Sequence, residues 1–185
     1  GINGYVGTKV SVSHNKSNTK KRTQRFSANY QNKKSMKSLF LATDNQTIID
    51  RINRLSANSS PLWGKMTVSQ MLAHCQQPLK IAFGEVKTTR RTLVGFLFGG
   101  WAKKQFMSGK PIQKNLPTDA KFVIADDRNF EQEKKRLQDY LNRFAKEGKQ
   151  SIIDQPHPFF GKMTPEEWDI LTQAHLEHHL KQFGV

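Results

Sequence analysis

Apolar side chains recur at helical spacing in four segments of this 185-residue chain. Ile48, Ile49, Ile52 and Leu55 share a face of the first, which Thr43-Asp44-Asn45-Gln46 opens in the form of a capping box. The second starts at Thr67, with Gln70 three residues on, runs through Val68, Met71, Leu72, Cys75, Leu79, Ala82 and Phe83, and stops at Gly84. The third covers about Asp127 to Glu147, with Phe130, Leu137, Leu141 and Phe144 on one side and Gly148 past its end. Thr164-Pro165-Glu166-Glu167 begins the fourth as a capping box with proline at the first helical position. No stretch alternates with period two for long enough to build a sheet, although Lys121 to Ala125 fits a short extended piece. The pattern predicts an all-α protein: a four-helix bundle with a long crossover of about 40 residues between helices 2 and 3.

The crossover has its own apolar run, Leu93 to Trp101, nine residues that include three glycines and are too few to span a bilayer. It predicts a short helix or flap laid over one end of the bundle; a mobile lid over a site is the sharper alternative. Lys110-Pro111 and Leu116-Pro117 mark extended segments, because the residue before a proline is pushed out of the helical region.

Charge changes the picture at the start of the chain. Lys and Arg total 30 against 15 Asp and Glu, and residues 1–35 hold eight of the bases and no acid, which is +8 of the formal +15. That stretch, rich in Asn, Ser, Thr and Lys, reads as a disordered basic extension, and Gly1 in place of Met fits a non-native remnant of a cleaved tag. The folded domain is expected over residues 36–185. Phosphate contacts with a nucleic acid are the functional alternative for the arm. It lacks Arg density, and Tyr5, Phe26 and Tyr30 are too scattered for a stacking platform, so no nucleic-acid partner is expected. Without an apolar leader or a membrane-length run, no membrane partner is expected either, and the compartment read from the sequence is cytoplasmic. The lone Cys75 excludes an intrachain disulfide and a cysteine-based zinc finger.

The candidate chemistry lies in His175-Leu176-Glu177-His178-His179. His175 and His179 stack one turn apart on the same side of the helix as Trp168 and Leu171, while Glu177 points the opposite way. Imidazoles among core positions need partners for both ring nitrogens. A shared metal ion supplies one; carbonyls or water at the core edge are the competing account. The tetrapeptide Gly-Lys-Met-Thr occurs at 64–67 and again at 161–164, each time before a helix. Counted from Thr67, His74 is seven residues on; counted from Thr164, His175 and His179 are 11 and 15 on. At roughly 100° per residue these offsets come to about −20°, +20° and +60°, one common sector. Three imidazoles with positions left to water describe a catalytic type of metal site, filled by a divalent ion such as zinc or nickel. Around it, His178 reads as a polar edge residue, Cys75 as a buried small residue, Glu177 as solvated, His157 as a surface loop histidine and Gln70 as a capping residue. A non-catalytic helical interaction module with a vestigial site is the reading from a different class.

Trp63-Gly64-Lys65-Met66-Thr67-Val68-Ser69-Gln70-Met71-Leu72-Ala73-His74 and His175-Leu176-Glu177-His178-His179-Leu180-Lys181-Gln182 resemble the DinB-like (YfiT-like) superfamily of metalloproteins. His157-Pro158-Phe159-Phe160-Gly161 with Met163-Thr164 looks like one uncharacterised branch of it. The resemblance covers most of residues 36–185. It implies a four-helix bundle with His74, His175 and His179 as ligands to zinc, nickel or a similar ion. It also implies a homodimer, and a thiol-dependent transferase or isomerase that uses a low-molecular-weight thiol and acts on a small-molecule substrate; the Lewis-acid chemistry of such an ion on bound thiol or water adds a hydrolase to the expectation. Many relatives place further polar residues just after the first histidine; this chain has Cys75-Gln76-Gln77-Pro78 there.

Overall fold

The computed structural model describes residues 37–88, 93–115 and 123–185, with side chains from residue 95 in the second of these stretches. The basic extension, Leu116-Pro117 and Lys121 lie outside the described residues. The described chain is all-α, with no strand beyond an isolated bridge between His157 and Gly161. Helix α1 spans Ala42–Asn53, α2 Val68–Cys75, α3 Gln77–Ala82, α4 Leu93–Phe106, α5 Phe130–Glu147 and α6 Pro165–Gln182; a 3-10 turn, Gly148–Ser151, follows α5. Helices α1 and α2 each pack on both α5 and α6, enclosing Ile48, Ile52, Leu72, Leu79, Leu141, Phe144 and Leu176.

The start of α1 differs from the expected capping box. Its N-cap is Leu41, which makes no side-chain cap, and Asp44 instead accepts from the Ser38 backbone N–H at 2.9 Å. Asp169 of α6 fixes the same entry segment, accepting from Ser38 Oγ at 2.6 Å and from the Leu39 N–H at 2.8 Å. Buried Asn45 then bridges the Leu39 and Leu141 carbonyls at 3.0 and 2.8 Å. These bonds satisfy polar groups that would otherwise be stranded in the core.

The helix expected from Thr67 to Phe83 divides at Gln76. Pro78 has no N–H to give to the carbonyl four residues back, so the ladder is interrupted just after His74. Gln76, fully buried at the break, donates to the Glu133 carbonyl at 3.2 Å and to Glu133 Oε2 at 2.7 Å. Glu133 in turn pairs with Arg136 at 3.2 Å and Arg128 at 3.6 Å. This polar bridge ties the end of α2 to α5 and so holds the helix that carries His74.

A second apolar cluster joins α3, α6 and the loop before α6: Ile81, Ala82, Phe160, Met163, Trp168 and Leu171, with Ala102 and Phe106 of α4 against it. Helix α4 reaches the loop through glycine. A Cβ at Gly95 would stand 2.7 Å from the Phe159 carbonyl oxygen and one at Gly99 only 2.1 Å from it, so bare backbone is required on that side. His157 holds the loop in shape. Its Nδ1 accepts the Phe159 and Phe160 N–H groups at 3.1 and 3.2 Å, and its ring stacks on Phe160. It is therefore a structural acceptor rather than the surface histidine expected from its place before a proline.

Burial pushes the His157 pKa down to about 4. Between that value and the ordinary value near 6.5, the unfolded chain binds a proton that the folded chain refuses. The contribution is therefore complete above about pH 6.5 and is lost as pH falls toward 4, up to about 3 kcal/mol for this group. Urea unfolding at pH 7 and pH 4.5 should show wild type losing more stability on acidification than His157→Gln, whose amide oxygen can still accept the loop N–H groups. Equal losses would assign the acid sensitivity elsewhere.

Candidate metal centre

The repeated Gly-Lys-Met-Thr is the device that aims both ligand-bearing helices. Gly64 and Gly161 have φ of 82° and 73°, and each turns the chain into a capped helix. Thr67 accepts from the Gln70 N–H at 3.2 Å while Gln70 Oε1 accepts from the Thr67 N–H at 3.0 Å. Thr164 and Glu167 repeat the exchange at 3.2 and 2.9 Å. With both N-caps fixed, equal offsets give equal directions, and the expected sector is the one that turns inward.

His74, His175 and His179 converge. His175 Nε2 lies 2.9 Å from His74 Nε2 and 3.2 Å from His179 Nε2, and the three ligand atoms fall within 4.8 Å of one another. Imidazole nitrogens bound to one ion at about 2.05 Å sit about 2.9 Å apart at a right angle and about 3.3 Å apart at the tetrahedral angle. The two separations from His175 match that spacing.

Proton positions follow from Gln182, which the sequence reading did not single out. Its Nε2 donates to the Trp63 carbonyl at 2.6 Å, so its Oε1 faces His179 Nδ1, at 2.8 Å. Nδ1 therefore carries the proton, and the His179 Nε2 lone pair points into the cluster. The only sequence signal for Gln182 is its place one turn after His179. Gly64 makes room for it, since a Cβ there would come within 2.6 Å of Gln182 Nε2.

His175 is less well served. Its Nδ1 is buried without a hydrogen-bond partner among the described residues. A proton on Nδ1 leaves a stranded donor; a proton on Nε2 leaves a stranded acceptor and puts an N–H where the three rings meet. An ion at the convergence point would relieve the crowding of the Nε2 lone pairs, so the donor set fits a divalent metal. Burial, followed by the neighbouring histidines, holds His175 well below the usual imidazole range. The same causes in the same order push His179 down to about 3, with Gln182 opposing them. Both rings are neutral at pH 7, as a metal ligand must be.

The other singled-out residues fall outside the convergence. Cys75 is buried on Met71, with Sγ 3.6 Å from Sδ, and burial raises its pKa, so it is an inert thiol. Glu177 was expected to be solvated; instead it pairs with Arg51, and with Lys181 at 3.6 Å, on the far side of α6 from the cluster. His178 packs edge-on to Trp63, 5.8 Å between ring centroids, and Lys114 lies over the same indole at 4.2 Å.

Fold and site together define an all-α protein with an inward-facing three-histidine cluster of metal-ligand geometry. Over residues 33–184 the chain matches the family described as protein of unknown function (DUF1569), and it belongs to that family. No curated protein and no solved structure matches it.

Proposed function

We propose that this is a DinB-like metalloprotein in which His74, His175 and His179 hold one zinc or nickel ion with positions left for water or substrate. The observation that carries the reading is the meeting of three imidazoles from two helices, with His175 Nε2 at ligand-to-ligand distance from both other rings. When bound, such an ion acts as a Lewis acid that lowers the pKa of a coordinated thiol or water, the chemistry of group transfer or hydrolysis. The chain's own contribution is orientation and tautomer. The Trp63 carbonyl fixes Gln182, Gln182 fixes the His179 ring, and the two capped helices fix the azimuth of all three rings. A small-molecule substrate used with a low-molecular-weight thiol is the reaction class proposed.

The exposed aromatic side of α4 favours a second reading, a helical interaction module with a vestigial metal site. Metal analysis of protein purified without a nickel column separates the two. Wild type should hold about one ion per chain and His74→Ala close to none. Equal content in both ends the metalloprotein reading.

A further inference from the structure

Helix α4 is built inside out. Gly95, Gly99, Ala102 and Phe106 recur at i, i+4, i+7 and i+11 and form its inward stripe, whereas the large apolar side chains face solvent. Phe96 is 71% exposed, Leu97 64%, Phe98 58% and Trp101 68%, and a Cβ at Gly100 would meet nothing within 4 Å beyond its own helix backbone. Lys104 stands in the middle of this outer face and is exposed. An apolar patch of this size on a helix whose other side is already packed marks a contact surface.

The charge around the patch indicates its occupant. From Val86 to Lys114 the sequence has seven bases (Lys87, Arg90, Arg91, Lys103, Lys104, Lys110 and Lys114) and no acid. Lys103 is engaged with Glu167 at 2.7 Å, while Lys87, Lys104 and Lys110 are exposed. A two-fold contact between copies of α4 would press this stretch against itself and set like charges together. The basic arm of residues 1–35 offers no acid to complement it either. Exposed Phe, Leu and Trp on a helix that also exposes Lys104 are what an anionic bilayer interface accepts: rings among the headgroups, cations on lipid phosphates. With 14 residues, about 21 Å of helix, α4 can lie in that interface but not cross it, and no described helix is long and apolar enough to span a membrane.

We propose that the outer face of α4 docks the protein on anionic lipid surfaces, with Phe96, Leu97 and Trp101 inserted at headgroup depth and Lys104 on phosphate. This departs from the sequence expectation of no membrane partner, and it is independent of the metal reading. The test uses the full chain with vesicles of phosphatidylcholine alone or mixed with phosphatidylglycerol. Wild type should co-sediment with the mixed vesicles, and lipid brominated near the headgroup should quench a Trp signal that disappears in Trp101→Phe. The double variant Phe96→Ser/Leu97→Ser keeps Trp101 as reporter and the basic arm as an internal constant; it should bind at least about tenfold more weakly with an unchanged unfolding temperature. Lys104→Glu should weaken binding to the anionic vesicles without touching the packed side of α4, so the proposal stays testable if the double variant folds poorly. Equal binding of wild type and both variants would assign the effect to the arm. Absence of binding, with a dimer that the double variant dissociates, would assign the face to a second copy. Either result overturns the proposal.

Discussion

Saturating zinc is expected to raise the unfolding temperature of wild-type protein by about 10 °C, and a chelator to return it to its starting value. An ion that binds only the folded state stabilises it by about 4 kcal/mol at a thousandfold excess over its dissociation constant, and in a chain of this size each kcal/mol moves the midpoint by about 2–4 °C. His179→Ala should abolish the shift, because two rings from two helices lack the third donor that completes the site. Gln182→Ala is the finer probe. It leaves all three ligands but releases the His179 tautomer and ring orientation, and loss of such a partner costs about 10–100-fold in metal affinity. Burial and the neighbouring histidines hold His175 and His179 below the usual imidazole range, so protons on these two rings should not compete with the ion until well below pH 6.5. A midpoint indifferent to zinc in wild type, or a shift that survives in His179→Ala, would remove the cluster as the binding site.

The parts of this architecture that could be read from the sequence are those fixed by local periodicity and short-range caps. Thr67 and Thr164 signal their helices because a capping box is an exchange between residues three apart. The azimuth of His74, His175 and His179 then follows by counting, which is why their convergence is legible in the sequence. Other features depend on partners far along the chain. Thr43-Asp44-Asn45-Gln46 has the form of a capping box, but Asp44 turns to Ser38 and Asn45 is drawn to Leu141, 96 residues on. Pro78 is a local signal for the break at Gln76 that apolar periodicity from Thr67 to Phe83 overrode, and nothing local signals the buried Glu133 that stabilises it. His157 looked like a loop residue because nothing local shows that two backbone N–H groups will converge on its ring. The Leu93 to Trp101 run was readable as apolar but not as inverted. Its inward side consists of glycines, so hydrophobicity points away from the core and periodicity assigns the wrong face.

Trp168→Ala is expected to be the most damaging single exchange outside the metal cluster, costing about 3–5 kcal/mol in urea unfolding. The indole is 0% exposed and fills the space between α3, the loop of His157 to Met163 and the first turns of α6. Its ring centroid is 5.4 Å from that of His157, so the cavity would open beside the residue that holds the loop, and the loop is the platform on which Gly95 and Gly99 seat α4. The loss should therefore spread to α4 and increase amide exchange there. His175 lies seven residues further along α6, two turns away, and the capping box that aims it is untouched, so the zinc-induced shift should persist in whatever fraction folds. Trp168→Phe supplies the contrast. The indole Nε1 is buried with no hydrogen-bond partner among the described residues, and a stranded donor of this kind costs about 1–3 kcal/mol. Phenylalanine gives up part of the volume but removes that stranded group, so its net cost should stay below about 1.5 kcal/mol. If both variants lose the same stability, volume does not govern the site. If Trp168→Ala costs under 1 kcal/mol, the second cluster does not hold the loop and α4 in place.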